Sequence, residues 1–240
     1  MEIVSLTAFV LRRIKYSETS LIATLFSEGS GKISIIAKGA RSPRSKSGTS
    51  AVLEPFNLIE ATVYIKDARD VQILSKAGTV RDFVGIKSDL DRMEAASEVI
   101  RAIDSNTHAN EPNAELWKLL GKTLDRLEQC SIEELQSAVL VFKARMLTVL
   151  GYAPIVDRCA ICNGRLGEKA YFSTQMGGTI CPDCGRTGAM LRHEEIDSLQ
   201  RLFASDDESP EPIIPKGIIK SVTNIIRRHG EYYTDRKMGR

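Results

Sequence analysis

The chain has 240 residues, 42% hydrophobic and 27% charged, with a formal net charge of +2. These proportions belong to a soluble globular protein with enough chain for one large domain or two ordinary ones. No apolar run approaches the roughly 18 residues of a membrane span, and MEIVSLTAFVLRRIKYSET lacks the features of a signal peptide. A cytoplasmic protein is expected, in a compartment where disulfides rarely persist.

The charge is unevenly spread. Residues 1–50 carry eight Lys and Arg against three Glu, residues 81–135 carry seven basic against twelve acidic side chains, and the last 25 residues return to a net +5. A basic front beside an acidic middle suggests a polyanion-binding module joined to a differently employed domain.

The first 80 residues read as strands. TAFVLRRIKY, SLIATLF, KISIIAKG, FNLIEATVYI and DVQILSK are β-branched or aromatic-rich runs separated by turn signals such as SEGSG and KDARD. In the fourth, Ile59, Ala61, Val63 and Ile65 alternate with Glu60, Thr62 and Tyr64. Five short strands in so little chain suit a closed barrel, because closure removes the edges. ARSPRSKSGTS, rich in Ser, Gly and basic residues, reads as a mobile loop.

From about residue 80 the period becomes helical. Phe83, Ile86, Leu90, Met93, Ala96, Ile100 and Ile103 recur at steps of three and four. After DSNTHANE, Pro112 opens a second helix with Leu116, Leu120, Leu124 and Leu127 on one face. Ser131 and Glu134 form a capping box before the stripe Ile132, Leu135, Val139, Phe142, Met146 and Val149, and Gly151 is a natural stop. A helix is expected around residues 193–204, and a basic amphipathic one from Lys216 to His229.

Cys159, Cys162, Cys181 and Cys184 are spaced C-x2-C-x18-C-x2-C, within the range of a four-cysteine zinc site. Two such turns can close a tetrahedron around Zn²⁺, and YFSTQMGGTI between them can fold as a hairpin. With all four positions filled by protein no place remains for a catalytic water, so one structural zinc per chain is expected. A redox dithiol is the alternative. Cys130 reads as a small buried or half-buried residue.

Catalytic signatures are lacking. The chain contains no G-x-x-x-x-G-K-[ST], no H-E-x-x-H and no G-x-G-x-x-G after a strand. His108, His193 and His229 are isolated in sequence and read as surface or helix-end residues. A binding protein is expected rather than an enzyme.

The order of parts, with KGARSPRSK, LEPF and LGYAPIVDRCAIC leading into the four cysteines, resembles the RecO family of bacterial recombination mediators over essentially the whole chain. The resemblance implies an α+β fold class: a five-stranded OB-type β-barrel at residues 1–79, then an α-helical domain at 80–240, within which the zinc-binding segment at 156–190 rests on the spacing of the four cysteines. It implies a nucleoid-associated DNA repair protein of the RecF pathway that binds single- and double-stranded DNA and anneals complementary strands. Its expected partners are RecR, the C-terminal tail of SSB, RecF and RecA. The family often has paired basic residues where Arg41 is here followed by Ser42.

The residues fit that function. Lys38, Arg41, Arg44 and Lys46 can follow a phosphate backbone without reading bases, and Arg12, Arg13, Lys15 and Lys32 can widen the patch. Phe9, Tyr16, Phe26, Phe56 and Tyr64 are candidates for stacking on bases, Tyr64 first, although each is also a candidate to fill the barrel. Lys216, Lys220, Arg227 and Arg228 are candidate rims for an SSB-tail groove. The rival readings are a zinc-ribbon RNA- or transcription-associated binding module and an enzyme without a recognised motif.

Overall fold

The computed structural model describes residues 2–42, 48–66, 68–204 and 212–234. The chain forms two compact units, Met1–Gln129 and Cys130–Arg240.

In the first unit β1 (Glu2–Lys15), β2 (Leu21–Ser27), β3 (Gly31–Ala37), β4 (Leu58–Ile65) and β5 (Val71–Arg81) close into a barrel in the order β1-β2-β3-β5-β4. Strand β1 makes the closure. Its first half pairs with β4, Leu6 opposite Ala61, and its second half with β2, Ile14 opposite Ile22. This double duty explains why β1 begins at Glu2 rather than at Thr7, where the sequence places the strand. Strand β5 likewise runs parallel to β3 at Val71–Ile73 and antiparallel to β4 as far as Arg81, five residues past its expected end at Lys76. Ala8, Leu25, Ile35, Ile59 and Val63 fill the barrel. Each fully buried Ile or Leu contributes about 1.5–3 kcal/mol.

A helical turn absent from the sequence reading, α1 (Thr49–Val52), joins the barrel between β3 and β4. Asn57 Nδ2 donates to the Ala51 and Val52 carbonyls at 3.0 and 2.9 Å, satisfying the end of a helix too short to do so itself. Leu53 follows it into the barrel core.

The helical stripe expected from Phe83 onward is broken into α2 (Val84–Lys87) and α3 (Leu90–Asn106). Asp89 makes the break, its side chain accepting from the Arg92 backbone N–H at 2.9 Å to cap α3. α4 (Ala114–Gln129) follows. These helices belong to the same unit as the barrel. Phe9 packs with Trp117 at 5.5 Å between ring centres and with Phe83 at 6.5 Å. Asn110 N–H donates to the Lys32 carbonyl at 2.9 Å. The change of sequence period near residue 80 therefore falls inside a compact unit that extends to Gln129.

In the second unit a 3-10 turn, Ile132–Glu134, leads into α5 (Leu135–Val149) through the expected capping box, Ser131 N–H donating to Glu134 at 2.9 Å. A three-stranded sheet in the order β7-β6-β8 follows: β6 (Lys169–Ser173), β7 (Gly178–Ile180) and β8 (Ala189–Arg192). The β6–β7 hairpin matches the sequence expectation, and β8 is additional. α6 (His193–Ala204) and α7 (Ile219–Thr234) complete the unit. Among the described residues no helix is long and apolar enough to cross a membrane.

Candidate metal centre and nucleic-acid interface

The four cysteines converge. Their Sγ atoms all lie within 4.8 Å of one another, and those of Cys162 and Cys181 are 3.9 Å apart. Two tight turns aim them. In the first, Asn163 N–H donates to the Cys159 carbonyl at 2.9 Å; in the second, Cys184 N–H donates to the Cys181 carbonyl at 3.1 Å. The hairpin holds the turns together, with Ala160 N–H donating to the Thr179 carbonyl at 2.8 Å. Cys159 is buried and Cys162 is exposed, so the cluster opens to solvent on one side.

Electrostatics set two of the cysteines apart. Burial acts to raise the Cys159 pKa, but backbone N–H groups of Cys162, Cys181 and Ile161 outweigh it and bring it down to about 6. Cys184 is pushed up to about 12, chiefly by side-chain hydrogen bonds with Cys162 and Cys181 and further by the charge on Cys159. Four thiolates this close need a cation to coexist, and the cluster can hold a metal ion. Cys130 is buried elsewhere and is not among these ligands.

On the barrel, the β1–β2 turn and the segment after β3 are clamped together. Arg41 donates through its backbone N–H to the Thr19 carbonyl and through Nη1 to the Ser17 carbonyl, each at 2.9 Å. Lys15 lies opposite Leu21, and Leu21 opposite Ala37, which precedes Lys38. Lys15, Lys38 and Arg41 thus share one rim, with Lys15 and Lys38 exposed. Arg44 and Lys46 lie outside the described residues.

Arg12, Arg13 and Lys32 have intramolecular partners. Arg12 Nε and Lys32 Nζ meet the two oxygens of Asp104 at 3.0 and 3.2 Å, tying β1 and β3 to α3, and Arg13 pairs with Glu54 at 2.7 Å. Sequence counted their charge without the carboxylates that hold it, because those lie 41 to 92 positions away.

The aromatic candidates separate by burial. Phe9, Phe26 and Phe56 are buried, whereas Tyr16 is 63% exposed at the basic rim. Phe9 and Phe26 are register partners on β1 and β2 and stand apart from the barrel-filling cluster. Phe9 is taken up by Phe83 and Trp117. Tyr64, half-buried, lies in a cross-strand row with Ile3 and Ile73.

In the second unit Lys216 pairs with Glu133 and Arg227 with Glu231, each at 2.8 Å, while Lys220 and Arg228 are exposed. His229 corrects the sequence reading: α7 continues past it to Thr234, so it sits mid-helix and is buried. The tyrosines at the end of that helix were missed, since their only signal was the doublet Tyr232–Tyr233.

Comparison with known proteins spans the whole chain. The family description "Recombination protein O N terminal" matches residues 1–83, and "Recombination protein O C terminal" matches residues 87–239. The DNA repair protein RecO of Caldanaerobacter subterraneus subsp. tengcongensis is 30% identical, over 96% of this chain and 94% of the relative. That of Chlorobaculum parvum is 36% identical over 95% and 91%, and that of Rubrobacter xylanophilus 35% identical over 73% and 68%.

Proposed function

The chain belongs to the recombination protein O family, and from that membership we propose that it is a non-enzymatic, DNA-binding recombination mediator of the RecF repair pathway. In this reading it binds single- and double-stranded DNA and anneals complementary strands. With RecR it helps to load RecA onto strands covered by SSB, whose C-terminal tail docks on the helical part of the chain.

The observation that carries the reading is the closed OB-type barrel with Lys15, Lys38 and Arg41 gathered on one rim beside Tyr16. Such barrels bind nucleic acid through a strand face and the flanking loops. Cations on clamped loops follow phosphates without reading bases, as a sequence-indifferent mediator requires. Tyr16 supplies a ring for stacking on an unpaired base. Arg12, Arg13 and Lys32, already paired with carboxylates, contribute less.

Zinc is the metal we assign to the cysteines. Tetrahedral Zn–S bonds of about 2.3 Å place sulfurs about 3.8 Å apart, and Cys162 and Cys181 stand at 3.9 Å. Cys159, Cys162, Cys181 and Cys184 would hold it, and a closed thiolate shell would make it a structural cross-link rather than a Lewis acid.

The test replaces Lys38, Arg41, Arg44 and Lys46 together by Ala and titrates unrelated single strands at several salt concentrations. Affinity should fall by a similar factor on every sequence. The slope of log affinity against log salt should flatten by about one to three, at roughly 0.7 per lost phosphate contact. The variant should anneal complementary strands more slowly. An unaltered slope would remove this rim from the interface, and preference for RNA without annealing would favour the zinc-ribbon RNA-binding reading.

A further inference from the structure

The second unit carries an aromatic ledge that neither the metal centre nor the barrel rim uses. Tyr152, just after α5, and Tyr232 and Tyr233, at the end of α7, are 37%, 58% and 37% exposed. The rings of Tyr152 and Tyr233 stack with centres 6.3 Å apart and planes 28° apart, and Tyr232 meets Tyr233 edge-on at 5.1 Å. Contiguous exposed rings of this kind mark binding surfaces.

The ledge is built rigidly from beneath. The Tyr233 ring lies 4.7 Å from the buried His229, whose Nε2 is 2.9 Å from the Tyr152 carbonyl. The Tyr233 hydroxyl donates to the Thr174 carbonyl at 3.2 Å, over Gly177, where a Cβ would stand only 3.0 Å from the hydroxyl oxygen. Rings fixed in advance lose little entropy when a ligand stacks on them.

The surroundings select an anion. Lys220, Asn224, Arg228 and Tyr232 recur every four residues along the exposed face of α7. Glu231 on the same helix is held by Arg227 at 2.8 Å, and Glu195 of α6 accepts from the Ser221 hydroxyl. Planar rings on a helix face that also carries two exposed cations, Lys220 and Arg228, match a polyanion that exposes planar faces, which is single-stranded nucleic acid.

We propose that Tyr152, Tyr232 and Tyr233 form a second single-strand-binding surface, on which bases stack while Lys220 and Arg228 meet phosphates. The proposal rests on the reading that the protein binds nucleic acid. A duplex keeps its bases stacked on each other, so the ledge discriminates in favour of unpaired strands. A protein that brings two strands together gains from two separate places to hold them, and the barrel rim is the other.

The test uses the full chain and a single strand substituted with iodouracil, photo-crosslinked and mapped by peptide mass spectrometry. Crosslinks are expected at Tyr152, Tyr232 or Tyr233 as well as on the barrel. In a Lys38→Ala, Arg41→Ala background, single-strand binding should persist and then fall about 5- to 150-fold on Tyr232→Ala, the range for losing one stacked base. Tyr232→Phe should stay within about twofold of the parent, and duplex affinity and the melting temperature should not move. Crosslinks confined to residues 2–42 would overturn the ledge and leave the nucleic-acid reading standing. Equal loss of single-strand and duplex affinity would also overturn it. Capture of an acidic, apolar-tipped peptide at Tyr232 without any crosslink would assign the ledge to a protein partner instead. Failure of the wild type to bind any strand would remove both readings.

Discussion

Lys32 and Lys38 stand six positions apart, and their surroundings give them different work. Lys32 Nζ donates to the Asp104 carbonyl and lies 3.2 Å from its carboxylate, with its side chain only 17% exposed. Lys38 is open to solvent. Lys32→Ala should therefore lower stability by about 1–3 kcal/mol, the scale of a partly buried charge-assisted hydrogen bond, with little change in the salt dependence of DNA binding. Lys38→Ala should leave stability within about 0.5 kcal/mol and flatten the salt slope by roughly 0.7. Urea unfolding followed through Trp117, the chain's single tryptophan, and a salt titration would separate the two, and the reverse pattern would exchange their roles. Gly31 presents a different constraint: its φ is +64°, and a Cβ there would overlap the Glu111 carbonyl. Gly31→Ala should cost roughly 2–4 kcal/mol from left-handed strain and displaced backbone, read in the same unfolding assay.

At the scale of elements, His229 shows how α7 is held in the second unit. Its Nε2–H donates to the Tyr152 carbonyl while Nδ1 has no hydrogen-bond partner among the described residues, and the ring packs against Phe172 and Tyr233. Burial lowers the pKa from its ordinary 6.5, outweighing the carbonyl, which raises it. The folded unit thus refuses a proton that the unfolded chain accepts. The stability is fully present above the unfolded value of about 6.5 and is lost as pH falls through it towards the lower folded value. Urea midpoints by far-ultraviolet circular dichroism, at about pH 8 and about pH 5.5, should fall further for the wild type than for His229→Gln. Equal losses would show that His229 titrates alike in the folded and unfolded states. Comparing the two proteins removes the acid sensitivity of the cysteine cluster, which they share.

For the whole molecule, only one of the two compact units contains the four-cysteine cluster that could hold a metal. Structural zinc contributes roughly 10–16 kcal/mol in small fingers, comparable to the total stability of a domain. The purified protein should hold about one zinc per chain, measured by atomic absorption. Cys159→Ser should abolish binding and unfold the sheet that carries the cysteines. A strong chelator should collapse protection from hydrogen exchange across β6 and β7 while the emission of Trp117, packed on Phe9 in the other unit, stays unchanged. A soluble, metal-free Cys159→Ser protein with native exchange protection would refute the structural role.

Local pattern carried much of the fold. Alternation along β4, the capping box at Ser131 and the twin C-x-x-C turns each depend on neighbours within a few residues, so the strand, the helix start and the two cysteine turns were legible from the chain itself. Tertiary structure decided what depends on distant partners. The length of β1 follows from its pairing with both β2 and β4, and the limit of the first unit at Gln129 accompanies the burial of Phe9 by Phe83 and Trp117. Arg12 and Lys32 became ties rather than free charges because Asp104, far along the chain, folds back between them. The tyrosine ledge is of the same kind, since Tyr152 and Tyr233 are 81 positions apart in sequence and meet only when α7 packs beside the end of α5. Periodicity reports which face of an element is buried, whereas the partner that buries it, or leaves it bare, is settled by packing.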